Sequence, residues 1–394
     1  MTSEVIIMNR NAMALAADSA VTVGNIKTYN GVNKLFYISN NPPIGIMIFG
    51  SADFENIPME TLIKEFKRKT DFNKIDDIES IKNEFLIYLA KNTPTTNMQK
   101  QIKNKLLLFD KIIKPTLENM DCESFEEFVI SNGKTTLPDF INDIPEINDY
   151  EYDFADIIPD DIDESKHDIL TKSLKNIFLD FLTSLNTGVV IAGFSEQDMF
   201  PSCIQFKMHF NYNGEIKISN YDSLINYEGN AVIPFAQKDV IKTFMTGIDD
   251  GMKNSIEFYF YQTILEYLIQ LKKNISYNDE IDDKSLNAIE IEIDKFLNNC
   301  QSLSLDFMKN IENLEEKFSA PIVNSIGALP KNELGNMAES LIHATSLKRK
   351  VSNDLESVGG DIDVAIISKS DGFIWKKKKD YFKHDLNPQI NEKT

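Results

Sequence analysis

The first fifty residues constrain the fold most, because they contain three residues that could take part in catalysis, separated by equal intervals. Asp18 lies sixteen residues after Thr2, and Lys34 lies sixteen residues after Asp18. Residues 5–8 and 13–16 are short apolar runs joined by a turn signal, so they predict a buried hairpin. The spacing favours two such hairpins, the first of which returns Asp18 to the side of the chain start.

The chemistry of these residues depends on removal of Met1. Threonine is small enough for the initiator methionine to be excised, which leaves Thr2 with a free α-amine beside its own hydroxyl. A hydroxyl is a poor nucleophile near pH 7 and needs an adjacent base; an N-terminal amine, with a reference pKa of about 7.7 to 8.0, can serve. Lys34 supplies a positive charge that favours the neutral amine, and Asp18 keeps that lysine charged and in place. Gly50 lies in a run that can offer backbone N–H donors to an oxyanion, since glycine allows close approach.

The segments that carry these residues resemble a known family. They are Thr2-Ser3, Ala-Ala-Asp-Ser at 16–19, Asn-Lys-Leu at 33–35 and Phe-Gly-Ser-Ala-Asp at 49–53. Together they resemble the N-terminal half of proteasome β-type subunits and of the bacterial HslV peptidase, which are N-terminal-nucleophile (Ntn) hydrolases. The resemblance implies an α+β fold, arranged as a four-layer αββα sandwich.

The resemblance also implies a role for each residue. Thr2 is the nucleophile and, through its amine, the base; Asp18 and Lys34 are its electrostatic support, and a backbone amide near Gly50 is the oxyanion donor. The activity implied is that of a threonine peptidase acting on polypeptides, with no cofactor and no metal.

Three apolar residues are expected to line the primary specificity pocket. Counted from the family motif, they are Val21, Val32 and Met47. Because all three are apolar, we expect cleavage after hydrophobic residues.

The resemblance covers about half of the chain. Its expected core comprises residues 2–70, 186–250 and 330–376. Residues 71–185 and 252–329 read as two mainly helical insertions.

The segments outside this core allow more than one interpretation. The acidic stretch 138–168 is expected to form an exposed loop, with a lid or a docking segment for a basic partner as the alternative. The helices of 252–329 are expected to pack on each other, with a protein–protein interface as the alternative. Residues 377–394 are expected to form a basic, mobile tail, and a binding patch is the alternative there.

The chain departs from the family pattern at two supporting positions. Pro-Phe-Ala at 234–236 stands where the family has a Gly-Ser-Gly turn whose serine supports the active site; Gln237 is a candidate replacement. Leu355 and Val358 stand where the family has an Asp and a Ser.

Composition argues against a nucleic-acid-binding, a membrane and a zinc-binding protein. A formal net charge of −20 argues against a nucleic-acid surface, which needs a basic stripe. No apolar run reaches the length of a membrane span and the start lacks a secretory signal, so we expect a cytoplasmic protein without membrane contact. Three widely spaced cysteines fit reduced thiols, and the absence of a close Cys/His pair argues against a zinc site.

Three functions remain open at this point. A threonine peptidase is the leading hypothesis. A non-catalytic scaffold or sensor of the same fold is the second, and the two missing supporting residues favour it. A small-molecule amidase of the wider Ntn class has weaker support, since those enzymes more often begin with Cys or Ser. The resemblance implies self-association into a homo-oligomer and work with an unfolding ATPase.

Overall fold

A computed structural model describes residues 2–23, 27–75, 77–196, 198–225, 229–276, 283–352 and 358–380. The strands in these ranges are β1 Ser3–Met8, β2 Ala12–Ala17, β3 Ala20–Val23, β4 Lys27–Asn30, β5 Leu35–Asn40, β6 Pro43–Gly50, β7 Asp53–Phe54, β8 Ile57–Pro58, β9 Thr187–Gly193, β10 Ser202–Tyr212, β11 Glu215–Ile225, β12 Ala231–Ala236, β13 Asp363–Ser368 and β14 Gly372–Lys377. The α-helices are α1 Met59–Lys69, α2 Ile78–Asn92, α3 Met98–Glu118, α4 Cys122–Asn132, α5 Pro145–Asn148, α6 His167–Thr183, α7 Asp239–Thr246, α8 Asp250–Ser276, α9 Asp283–Ile326 and α10 Lys331–Val351.

Two five-stranded sheets organise the described residues. Their strand orders are β12-β1-β2-β13-β14 and β11-β10-β9-β6-β5, and neighbouring strands run antiparallel. The first hairpin pairs Met8 with Met13 and Glu4 with Ala17, which confirms the hairpin expected from residues 5–8 and 13–16. The expectation of a mixed fold of helices and sheets is confirmed as well.

Strand β1 is buried on both faces, because its side chains alternate between two apolar clusters. Ile6 and Met8 belong to a cluster that contains side chains from both five-stranded sheets. Val5 and Ile7 belong to another cluster, which includes Leu341 and further residues of α10. Alternate side chains of a strand point to opposite faces, so a continuous apolar run lets one strand serve both layers.

Strand β6 divides its side chains in the same way. Ile46 joins a cluster with Leu62 of α1 and Phe85 of α2, whereas Met47 and Phe49 join the cluster shared by the two sheets. This explains why residues 44–49 form an apolar run without polar alternation.

The first insertion has its own apolar core. Phe109 of α3 and Phe178 of α6 meet edge to face with ring centroids 5.7 Å apart. The acidic stretch 138–168 contributes buried side chains to this core, including Ile147 and Phe154. The stretch therefore differs from the exposed loop expected, because apolar residues between its carboxylates anchor it against the helices.

The second insertion is a pair of long helices, α8 and α9. Phe260 and Phe307 stack with ring centroids 4.0 Å apart, and Lys253 Nζ lies 3.0 Å from a Glu315 carboxylate oxygen. Large apolar side chains of the pair, such as Phe258 and Phe318, remain exposed.

The start of the basic segment 377–394 is held by ion pairs. Lys377 ends β14 and pairs with Glu339 of α10. Lys379 pairs with Asp363, and both side chains are buried. Residues 381–394 lie outside the described residues.

We expect Gly193→Ala to destabilise the second sheet. A Cβ at this position would lie 2.1 Å from the carbonyl oxygen of Pro43, a backbone atom that cannot move aside independently. Overpacking of this kind lowers the free energy of unfolding by about 1–3 kcal/mol. The loss will be measured by urea denaturation, where it lowers the midpoint of unfolding. Gly214→Ala is the matched control, because its Cβ meets nothing within 4 Å and only the positive φ of +82° opposes it. A smaller loss for Gly193→Ala than for Gly214→Ala would contradict the steric argument.

Candidate active site

Asp18 lies directly after β2 and is completely buried. Its Oδ1 accepts a hydrogen bond from the backbone N–H of Ser3 at 2.9 Å, and its Oδ2 accepts from those of Ala20 at 3.2 Å and Gly359 at 3.1 Å. Lys34 Nζ donates to Oδ1 at 2.7 Å. Four donors from separate parts of the chain therefore fix the carboxylate.

Lys34 lies just before β5, and its side chain is almost entirely buried. Burial lowers the pKa of Lys34, while the charge and hydrogen bond of Asp18 oppose that shift. The positive charge of Lys379, whose side chain pairs with Asp363, makes the smallest contribution to lowering the Lys34 pKa.

Thr2 continues β1 by one residue. Its carbonyl accepts a hydrogen bond from the N–H of Gln237 at 3.3 Å, next to the ladder pair Ser3–Ala236. Gln237 Oε1 accepts from Arg349 Nε at 2.5 Å. The contact that the structure shows between Gln237 and Thr2 is thus made by the main chain. Ala236 adopts a left-handed φ of +59° at a position where the family turn has glycine.

A pocket of about 30 Å³ lies beside Thr2. Its walls are Thr2, Val21, Val32, Lys34, Ile48, Phe49, Gly50, Ser51 and Ala52. The structure therefore brings together the candidate nucleophile, the lysine, two of the three specificity residues and the candidate oxyanion donor.

Met47 lies elsewhere in the described structure. It is fully buried in the cluster shared by the two sheets and is paired with Leu35 and Val190. Its neighbour Ile48 lines the pocket instead. A shift of one residue turns a strand side chain to the other face, and residues 41–43 add one residue to the family motif from which Met47 was counted.

Gly50 occupies a position that requires glycine. Its φ is +80°, and an added Cβ would lie 2.7 Å from the carbonyl oxygen of Asn186. The N–H of Ser51 donates to that same oxygen at 3.1 Å, so it is already engaged. The role of Gly50 as oxyanion donor stays a prediction.

One functional candidate was missed by the sequence argument. Glu4 of β1 is completely buried, and neither carboxylate oxygen has a hydrogen-bond partner among the described residues. Burial raises the pKa of Glu4 well above its usual value; Lys34 opposes this rise, and Asp18 adds to it. The signal available in the sequence was a single carboxylate in an apolar strand run.

The supporting positions of the family pattern are apolar where they can be described. Phe235 and Val358 are both buried. Leu355, which replaces the family's Asp, lies outside the described residues.

The described residues hold no cluster of three or more His, Cys, Asp or Glu side chains that could bind a metal ion. Cys122, Cys203 and Cys300 are free thiols. In the part of the chain that the structure covers, no helix combines the length and apolarity needed to cross a membrane.

The chain was compared with protein families, curated proteins and solved structures. No family model and no curated protein matches the chain. Among solved structures, the Anbu (Gly-1) mutant from Hyphomicrobium sp. strain MC1 aligns with a TM-score of 0.36 and 9% identity, over 100% of this chain and 94% of that one. Anbu (ancestral beta-subunit) from Yersinia bercovieri aligns with a TM-score of 0.32 and 8% identity, over 99% and 93% respectively.

Breaking the buried ion pair should be strongly destabilising. We expect Asp18→Ala or Lys34→Met alone to lower the free energy of unfolding by about 3–5 kcal/mol, because each leaves an uncompensated buried charge. The double variant should lose less than the sum of the two, which a double-mutant cycle in urea will measure. Additive losses would mean that the 2.7 Å contact contributes no coupling. Lys64→Met, at an exposed ion pair, is the control and should cost under about 1 kcal/mol.

Proposed function

We propose that this chain is a threonine peptidase of the Ntn type, with Thr2 as the nucleophile once Met1 is removed. The observation that carries the proposal is that Thr2 lines one pocket together with Lys34 and Gly50. Asp18 accepts a hydrogen bond from Lys34 and so fixes its position. These residues lie far enough apart in sequence that only a specific fold brings them together.

The proposal includes the four-layer αββα architecture. It is supported by three apolar clusters: one shared by the two sheets, one between the first sheet and α10, and one between the second sheet and the helices α1 and α2. This order of clusters supports two sheets packed face to face with helices on the outer faces.

The reaction begins with attack of Thr2 Oγ on the carbonyl carbon of a peptide bond. The hydroxyl proton passes to the α-amine of Thr2, through a water, and then to the departing amine of the substrate. The C–N bond breaks and leaves an ester on Thr2, which a second water hydrolyses to restore the hydroxyl. Lys34 favours the neutral amine by charge repulsion, and the N–H of Gly50 stabilises the oxyanion.

The pocket walls favour apolar side chains before the cleaved bond. Val21, Val32 and Ile48 supply aliphatic surface, and Ala52 adds a methyl group. The pocket is small, with a volume of about 30 Å³. Small apolar residues therefore fit best, while aromatic ones require the pocket to widen.

The remaining expectations rest on the family resemblance. We propose that the substrate is a polypeptide, that the chain forms a homo-oligomer and that an unfolding ATPase feeds it. We also propose a cytoplasmic location, which was expected from the sequence and not from the resemblance.

A non-catalytic scaffold or sensor is the second candidate. It is favoured by Phe235 and Val358, buried apolar residues at two positions where the family has polar support for its active site. In this alternative, the ion pair between Asp18 and Lys34 stabilises the fold, and the site does not catalyse a reaction.

The nucleophile can be tested by intact mass. We expect the purified chain to lack Met1 and to gain one equivalent of a peptide epoxyketone, which reacts with both the hydroxyl and the amine of a terminal threonine. Thr2→Ala should abolish the adduct, because the hydroxyl is gone, whereas Thr2→Ser should retain it. Retained Met1, or no adduct on a processed chain, would favour the scaffold.

Specificity can be tested with a panel of fluorogenic peptides that differ in the residue before the cleaved bond. We expect alanine and valine to give the highest kcat/KM, followed by larger apolar residues, because the pocket walls are aliphatic and the volume is small. Val32→Ala should improve the relative rate for leucine by enlarging the pocket, while Val351→Ala, at an exposed site on α10, serves as the control. Preference for acidic or basic residues would overturn the assignment of this pocket.

A further inference from the structure

Glu4 is a buried acid that the proposed reaction does not use. It is the second residue of β1, paired with Phe235 on β12 and Ala17 on β2. It is fully inaccessible to solvent, and neither oxygen has a hydrogen-bond partner among the described residues. An unpartnered buried carboxyl carries a desolvation cost that neutral apolar residues would avoid. We therefore looked for a group that could donate a hydrogen bond to this carboxyl or share a proton with it.

The strand geometry places Glu4 beside the candidate nucleophile. The ladder between β1 and β12 continues from the pair Ser3–Ala236 to the hydrogen bond between Thr2 and Gln237, so the alternation of β1 extends to Thr2. Residues two apart in a strand share a face and lie about 7 Å apart along it. The structure shows no direct hydrogen bond between the Glu4 carboxyl and the Thr2 nitrogen, and a glutamate side chain with one bridging water spans that separation.

The other buried charges of the site are already paired. Asp18 pairs with Lys34, and Asp363 pairs with Lys379. Glu4 is the remaining carboxyl that these groups influence: Lys34 favours its charged form and Asp18 its neutral form, with burial the largest influence toward the neutral form.

Removal of Met1 changes this balance. It creates an α-amine at Thr2, a residue that is only 4% exposed while Met1 is still attached. If that amine binds a proton, a second positive charge enters the pocket beside Lys34, whose carboxylate partner Asp18 is already engaged. Glu4, which shares the strand face of the Thr2 side chain, is a buried carboxyl without a hydrogen-bond partner in the part of the chain that the structure describes.

We propose that Glu4 and the α-amine of Thr2 share one proton, so that Glu4 is the positioning residue of the terminal base. In one form the amine is an ammonium and Glu4 a carboxylate; in the other an N–H bond has broken, an O–H bond has formed, and both groups are neutral. The proposal rests on the proposed function only in requiring that Met1 is removed.

The shared proton keeps the amine an effective base. Burial and the charge of Lys34 both disfavour the ammonium and so weaken the amine as a proton acceptor. A general base works best when its pKa lies near the working pH. The carboxylate of Glu4 stabilises the ammonium and restores that basicity.

The test uses Glu4→Gln in the full-length chain. The titration of the Thr2 α-amine is followed by the pH dependence of its reaction with an amine-acylating reagent, read at the N-terminus by mass spectrometry. We expect the midpoint to fall by at least about one pH unit, since strongly coupled groups shift each other by that much. The acid limb of kcat/KM should move down in parallel, with a lower plateau and little change in KM.

Two further variants separate charge from structure. Glu4→Asp should recover part of the midpoint shift, because it restores the carboxylate on a shorter side chain. Glu60→Gln is the matched control: Glu60 accepts a hydrogen bond from Asn33 Nδ2 at 3.1 Å, next to Lys34 in sequence, but is partly exposed. It should leave the amine midpoint unchanged, because solvent screens its charge.

A measurement on the unmodified protein covers the case in which the Glu4 variants do not fold. With ¹³C-labelled glutamate carboxyls, Glu4 should titrate in the same macroscopic steps as the Thr2 amine. An independent titration of Glu4, or an unchanged amine midpoint in processed Glu4→Gln, overturns the shared proton and leaves the threonine site standing. A shifted midpoint without peptide turnover supports the shared proton and overturns the peptidase. Retained Met1 overturns both.

Discussion

The buried contact between Asp18 and Lys34 ties the N-terminal part of the fold together. Taking both charges out of water is costly, and a 2.7 Å contact offsets that cost only when the remaining hydrogen-bonding capacity is also satisfied. Here the backbone N–H groups of Ser3, Ala20 and Gly359 provide the additional donors. These residues come from the first strand, the start of the third and the segment before the thirteenth. The ion pair is therefore satisfied only when three separate segments are in place.

The polar site lies at one end of an otherwise apolar interior. Phe49 lines the pocket and stacks on Phe235 with ring centroids 6.2 Å apart, and both belong to the cluster shared by the sheets. In such surroundings the effective dielectric constant is low, so each charge acts strongly on its neighbours. This is why the charge state of Glu4 matters, and why a terminal amine at Thr2 would be sensitive to a group two residues away.

Much of the site could be predicted because its signals are local. The equal spacing of Thr2, Asp18 and Lys34 needs only hairpin geometry to bring them near each other, and apolar runs at residues 5–8 and 13–16 specify that hairpin. The choice between Met47 and Ile48 could not be predicted in this way. Strand register decides it, and register depends on pairing with a strand more than 130 residues later in the chain.

The sequence by itself determined the strands of the N-terminal hairpin, the helical nature of both insertions and the three residues proposed to act together. These follow from periodicity and spacing, which act over a few residues. Only the tertiary structure decided that Glu4 is buried without a hydrogen-bond partner among the residues described and that Lys379 pairs with Asp363. Burial and pairing are set by segments that pack from far along the chain, and a lone acidic or basic residue carries no local sign of what will cover it.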